Sequence, residues 1–259
     1  MRKRYIFFDI DGTLAADGYE NAYIPESAQL ALKKLKEAGH FVAIATGRAE
    51  SMARDILEMA GLDNMVSDGG WGLTIDGKVL YIKTLPKEDI IPLVEECKEK
   101  GLPWGLQLEN RALRTCPDDS FMEYTHDTYI KTVVKPDLDP AKVDRIYKMY
   151  IACHYPKELE IEGLKTLPYC RFHEPYLFVE PLDKGEGIKD MLKIVGGDPK
   201  DVIVFGDAKN DISMFLPEWT KVAMGNACDE LKAIADYVTT DVKEDGVYNA
   251  CVHLNLFED

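Results

Sequence analysis

The sequence predicts an α/β protein: a doubly wound parallel sheet carrying an inserted α+β domain. Two apolar runs, YIFF (Tyr5–Phe8) and FVAIA (Phe41–Ala45), do not alternate with polar residues, as expected of strands buried on both faces. Each precedes a segment of helical spacing, which implies parallel strands joined by crossover helices. The rhythm stops after residue 82 and resumes near residue 181, where a helical segment leads to a third buried run, DVIVFGD.

Taken in order, IPESAQLALKKLKEAGH places Leu30, Ala31, Lys34, Leu35 and Ala38 at helical spacing and ends at Gly39. After FVAIA, the segment AESMARDILEMAG reads as a second helix ending at Gly61. WGLTIDGKVLYI holds two β-rich runs around Asp76-Gly77, a tight-hairpin signal. The spacing then predicts a helix over PKEDIIPLVEECKEKG, with Pro92 limiting its first turn, and a hairpin over PWGLQLENRALRT. DPAKVDRIYKMYIACHY reads as a helix and then a strand, and LPYCRFHEPYLFVEPLD as two more strands. The last part reads as helix (KGEGIKDMLKIVGG), buried strand (DVIVFGD), helix start (KNDISMF), strand and turn (TKVAMGNA), short helix (DELKAIADY) and a closing helix (EDGVYNACVHLNLF). The expected organisation is a Rossmann-like core from residues 1–82 and 181–259, with residues 83–180 as the inserted domain.

Composition narrows the partners. The 259 residues carry a net charge of −15 and a pI near 4.8, which argues against nucleic acid and anionic lipid as partners. Lys83 to Glu180 holds 14 Lys+Arg against 18 Asp+Glu, a balance of −4, so most of the acidity lies in the core segments. An anionic substrate would need cations built into its site. The six cysteines form no C-x-x-C pair, as expected of free thiols in a reducing cytoplasm. The apolar run in MRKRYIFFDID stops at four residues, short of the roughly 7–15 of a secretory leader, and no segment approaches the ~20 that cross a bilayer.

Four short stretches carry chemistry. In DIDGT, Asp9 and Asp11 are spaced i, i+2 at the end of a buried strand, so both can face one ligand. Adjacent carboxylates repel unless a cation or a shared proton intervenes, and Mg²⁺ prefers hard oxygen ligands beside phosphate. An Asp-Gly turn alone would also explain the stretch. GDAKND ends a second buried strand with Asp207 and adds Asn210 and Asp211, residue types that also cap helices. In ATGR, the Thr46 hydroxyl and the backbone N–H groups of a helix start can seat an anion, or Thr46 can serve as an ordinary cap. Lys184 opens a helix against the macrodipole, which a bound phosphate would justify, or it is an ordinary solvated lysine.

Together these stretches resemble the four motifs of the haloacid dehalogenase (HAD) superfamily of phosphohydrolases. The insertion between the second and third motifs, with AMGNA and EDGV, resembles its Cof-type branch, which carries a large α/β cap. The resemblance implies a phosphoric monoester hydrolase that uses Mg²⁺ and acts on a small phosphorylated metabolite, a sugar phosphate above all. It implies Asp9 as nucleophile forming an aspartyl-phosphate and Asp11 as general acid and then base. It implies Mg²⁺ held by Asp9, the main-chain carbonyl of Asp11, and Asp207, with Asp211 binding or orienting a metal water. Thr46, Gly47, Lys184 and Asn210 are implied to receive the phosphoryl oxygens, and the protein is expected to be cytoplasmic, as a monomer or simple homodimer. Where relatives commonly show Asn-Gly-Ala, this chain has SDGGW with Asp68, which is left out of the expected site. Arg48 is expected to pair with an acid on the scaffold. Arg111, Arg114, Arg171 and His173 are expected as solvated surface groups, Trp71 and Trp104 as core. A phosphomutase would use the same nucleophile, and a phosphate-binding signalling domain is the alternative from another class.

Overall fold

The computed structural model describes residues 2–18 and 21–258. In chain order the first part gives β1 (Tyr5–Phe8), α1 (Glu26–Glu37), β2 (Phe41–Ala45), α2 (Glu50–Met59), β3 (Met65–Ser67) and the hairpin β4 (Gly72–Ile75) and β5 (Lys78–Ile82). There follow α3 (Lys87–Glu99), β6 (Trp104–Gln107), β7 (Leu113–Cys116), α4 (Ser120–Thr125), β8 (Lys131–Val134), β9 (Lys148–Ala152), β10 (Tyr169–His173) and β11 (Tyr176–Val179). The last part gives α5 (Lys184–Val195), β12 (Val202–Gly206), a 3₁₀ turn at Lys209–Met214, β13 (Thr220–Ala223), α6 (Asp229–Lys232), β14 (Tyr237–Val238) and α7 (Gly246–His253).

The chain divides into two compact units: Met1–Arg48, Ala53–Ile82 and Asp183–Asp259 form one, and Ala49–Met52 with Lys83–Leu182 the other. In this division the long segment of the second unit ends at Leu182, and Ala49–Met52 groups with it.

The first unit is built on an eight-stranded sheet of order β14-β13-β12-β1-β2-β3-β4-β5. Its strands run parallel from β14 to β3, and the β3–β4 and β4–β5 pairs are antiparallel. The unbroken apolar run of β1 has a simple cause. Ile6 and Phe8 point into a core with Leu32, Leu35 and Ala250, while Tyr5 and Phe7 point into a second core with Ile188, Met191 and Leu192. Helices cover both faces, so every β1 side chain is buried. The strand order reverses at β1, flanked by β2 and β12, which opens the crevice where ligands of such sheets bind.

The second unit is a six-stranded sheet of order β10-β11-β9-β6-β7-β8, antiparallel except for β7–β8. Ile90, Leu93, Val94 and Cys97 form the buried side of α3. Several expectations change: Trp71, expected in the core, is half-buried, and Arg171, expected in solvent, is largely buried and pairs with Glu158 at 3.0 Å. Residues 140–147 form turns and bends rather than a helix. KNDISMF forms a 3₁₀ turn rather than an α-helix. Arg114, expected in solvent, is fully buried: its guanidinium lies 2.8 Å from Asp127 and 4.0 Å from the centre of the Phe121 ring.

Candidate active site

The site grows from the carboxyl ends of β1 and β12. The two strands pair in parallel with Phe8 opposite Phe205, and the Asp9 N–H donates to the Phe205 carbonyl at 3.0 Å. That register sets Asp9, the next residue of one strand, beside Asp207, just past the other. The 3₁₀ turn after β12 then folds Asp211 back, and its Oδ2 accepts the N–H groups of Asp207 (2.9 Å) and Ala208 (3.0 Å). Carboxylate oxygens of Asp9, Asp207 and Asp211 all lie within 4.8 Å of one another.

Lys184 enters from the start of α5. Asp183 caps this helix by accepting the Glu186 N–H at 3.0 Å, and the Lys184 N–H donates to Ser213 Oγ at 3.2 Å. The ammonium lies 2.6 Å from Asp9 Oδ1 and 2.6 Å from Asp211 Oδ1, with all three side chains buried. Burial alone would push the lysine pKa down, but the carboxylates of Asp211 and Asp9 outweigh it and hold the group protonated above its ordinary value. Burial pushes Asp9 well up; Lys184 pulls it back, and the charges of Asp211, Asp207 and Asp11 push it further up. Asp207 is pushed up to about 7, by burial first and then by Asp211.

One ammonium among three carboxylates, two buried and one half-buried, leaves an excess of negative charge where it is poorly solvated, which is costly in general. A divalent cation is the economical remedy, and an all-oxygen donor set is the chemistry Mg²⁺ prefers. The residues present therefore fit the metal. Asp211 is already held by three donors, whereas Asp207 receives Thr13 Oγ1 on Oδ1 at 2.8 Å and keeps Oδ2 toward Gly12. A Cβ on Gly12 would sit 2.4 Å from that Oδ2, so only glycine lets the loop pass the carboxylate this closely.

The second half of the site comes from the end of β2. Thr46 is buried; its N–H donates to Val66 O (2.9 Å), and its Oγ1 accepts the Arg48 N–H (3.0 Å). A Cβ on Gly47 would lie 3.7 Å from Asn210 Nδ2, which makes these two neighbours, and Asn210 Oδ1 is buried with no hydrogen-bonding partner among the described residues. The Asp11 side chain is half exposed and stands apart from the three-carboxylate cluster. It meets Arg48, whose Nε donates to Oδ2 at 2.8 Å and whose Nη2 contacts Oδ1. Asp68 is buried, sits at φ +52° and accepts Ser67 Oγ at 2.8 Å.

The fold thus gathers Asp9, Lys184, Asp207 and Asp211 into one hydrogen-bonded group, and sets Gly47 beside Asn210. Sequence reasoning misses two supporting residues. Thr13 holds Asp207, and Asn226 pins the loop after β1 by donating to Gly12 O at 2.8 Å while accepting the Val242 N–H at 3.0 Å. The AMGNA stretch is the available signal for Asn226; its long-range partners are not visible in one sequence.

A model of the family described as haloacid dehalogenase-like hydrolase matches residues 6–251. The chain belongs to that family. Among HAD-like relatives, it is 32% identical over 267 residues to YkrA of Bacillus subtilis (strain 168), with both chains fully covered. It is 29% identical to a phosphoglycolate phosphatase of Nitrosopumilus maritimus, covering 96% of this chain and 95% of that one. Among solved structures, a HAD subclass IIB sugar phosphatase, BT4131, superposes with a TM-score of 0.78 at 27% identity, over 98% of this chain and 100% of the other. The family and these relatives make the protein a phosphoric monoester hydrolase. No helix among the described residues is long and apolar enough to cross a membrane.

Proposed function

We propose that the protein is an Mg²⁺-dependent phosphatase of a small phosphorylated metabolite, a sugar phosphate, working through an aspartyl-phosphate on Asp9. The observation that carries the reading is the group of three carboxylates, two of them buried and paired with one ammonium, at the switch point of the sheet. Likeness to a sugar phosphatase over nearly the whole chain supports the substrate class.

Asp9, Asp207 and the Asp11 main-chain carbonyl would hold the metal, with Asp211 orienting a metal-bound water. When bound, the ion neutralises phosphoryl oxygens and so aids attack by an anionic nucleophile. Asp9 attacks phosphorus in line, and the ester oxygen leaves with a proton from Asp11. Asp11, now a carboxylate, takes a proton from water, which attacks the same phosphorus and returns Asp9 and inorganic phosphate. Thr46, Gly47, Lys184 and Asn210 receive the phosphoryl oxygens. Donors fixed before the reaction act where charge develops, the largest single lever in such chemistry. Lys184 also acts on the nucleophile, because its charge favours the ionised form of Asp9 and opposes the upward push of burial.

The inserted unit is read as the cap that selects the substrate, and the protein as cytoplasmic, a monomer or simple homodimer. Six free cysteines, four of them buried, suit a reducing compartment. The test is a panel of phosphorylated metabolites with Mg²⁺, scored by phosphate release. Steady release from one or a few sugar phosphates, lost in Asp9→Asn, is the expected result. Full activity in Asp9→Asn would end the reading, and isomer formation without release would show a mutase.

A further inference from the structure

The mechanism gives Asp11 two proton transfers, yet its side chain sits at the exposed edge of the site, 46% accessible, on the loop that turns after β1. A carboxylate there is free to rotate into water unless something holds it. Arg48 does so with a side chain that is only 6% accessible. Its Nε–H donates to Asp11 Oδ2 at 2.8 Å and its Nη2–H to Oδ1, so the planar fork engages both oxygens. Such a bidentate match fixes the plane of the carboxylate as well as its position, which a lysine point charge would not do.

Arg48 is itself tied down. Its N–H donates to Thr46 Oγ1 at 3.0 Å and its carbonyl accepts the Asp68 N–H at 2.9 Å. The same three-residue turn therefore orients the Thr46 hydroxyl and the Asp11 carboxylate. A carboxylate offers about four lone-pair sites, and the fork uses one on each oxygen. The outer site of each oxygen is left for the leaving oxygen or the attacking water.

We propose that Arg48 is the positioning residue for proton transfer: it aims Asp11 at the leaving oxygen and couples that aim to the phosphate-receiving turn. This rests on the reading of Asp11 as the general acid, and the test separates the two. Arg48→Met, Arg48→Lys, Asp11→Asn and the Asp11→Asn/Arg48→Met double variant are compared on two substrates. One is an alkyl phosphate, which needs a proton on its leaving oxygen. The other is p-nitrophenyl phosphate, which leaves as a phenolate without one. The readout is kcat/KM, which reports formation of the aspartyl-phosphate and is free of its later hydrolysis.

Both Arg48 variants should lose roughly 10–100-fold on the alkyl ester, a sizeable part of what a general acid provides, and several-fold less on the nitrophenyl ester. In the Asp11→Asn background, Arg48→Met should cost almost nothing further. Equal losses on both substrates, or losses that multiply in the double variant, would show that Arg48 acts as scaffold or on phosphate, and would overturn the inference. If Arg48→Met does not fold, the charge-retaining Arg48→Lys carries the same expectation. If Asp11→Asn itself loses equally on both esters, the failure belongs to the assignment of Asp11 and not to Arg48.

Discussion

Gly70→Ala perturbs the seat of Lys184 without touching a reacting group. Gly70 lies in the loop between β3 and β4 at φ +108°, and a Cβ there would fall 2.0 Å from the Asp183 carbonyl oxygen and 2.7 Å from its carbon. The same loop accepts the Asp183 N–H on Gly69 O at 2.9 Å, so it forms the wall against which α5 starts. Two costs add. The left-handed backbone costs an L-residue about 1–2 kcal/mol, and forcing a methyl against backbone costs about 1–3 kcal/mol. The sum, about 2–5 kcal/mol, is a large share of the ~5–15 kcal/mol that holds a typical protein folded. At about 2–4 °C per kcal/mol for a chain near this size, the melting temperature should fall by roughly 4–20 °C. To relieve the clash the carbonyl must retreat by about 1 Å and carry Lys184 with it, and a displacement of that order can cost about 10²-fold in rate. The assay is a thermal melt together with kcat on the best monoester. Gly77→Ala is the control: it also has a positive φ, +73°, but no atom lies within 4 Å of its Cβ position, so it should lose a little stability and keep its rate. If Gly70→Ala melts and turns over like Gly77→Ala, the loop does not seat Lys184.

Two further perturbations probe the charges. Lys184→Met removes the ammonium 2.6 Å from both Asp9 and Asp211 and leaves buried carboxylates unpaired; it should abolish turnover and cost about 3–5 kcal/mol at neutral pH, read by activity and melting temperature. Asp207 supplies a pH prediction. Its folded pKa of about 7 lies above the ~3.9 of an unfolded aspartate, so its contribution to metal-free stability is full below about pH 4 and is lost as pH rises through about 7. A metal binds the ionised form, so Mg²⁺ should raise the melting temperature more at about pH 8 than at about pH 6; equal shifts at both would contradict the assignment.

Much of this was legible because local chemistry fixed it. Burial of Tyr5–Phe8 on both faces leaves a continuous apolar run, and the carboxylates at the ends of two such runs must meet if the strands are neighbours. The hairpin at Asp76-Gly77 announced itself through residues that tolerate positive φ. What stayed hidden depends on contacts distant in the chain. Arg114 reads as a surface cation until β7 brings it against Phe121 and Asp127. Arg48 is expected to find an acid, but that the acid is Asp11 follows only from the way β1 and β2 lie side by side. Thr13 and Asn226 are short polar residues of ordinary type, and only the pairing of β1 with β12, and of β12 with β13, gives them Asp207 and the Gly12 loop to hold. Residues 140–147 carry enough apolar side chains to suggest a helix, yet burial of Ile146 is achieved by turns.

The central claim is that Asp9 becomes phosphorylated during turnover, and acid quenching tests it most directly. The enzyme is mixed with Mg²⁺ and its best substrate, stopped in acid within the first turnover, digested and weighed by mass spectrometry. One added phosphoryl group should appear on the peptide that contains Asp9, vanish when substrate is exhausted before the quench, and be absent from Asp9→Asn. Phosphate release at the normal rate with no phosphoryl group on that peptide, or with the group on another residue, would contradict it.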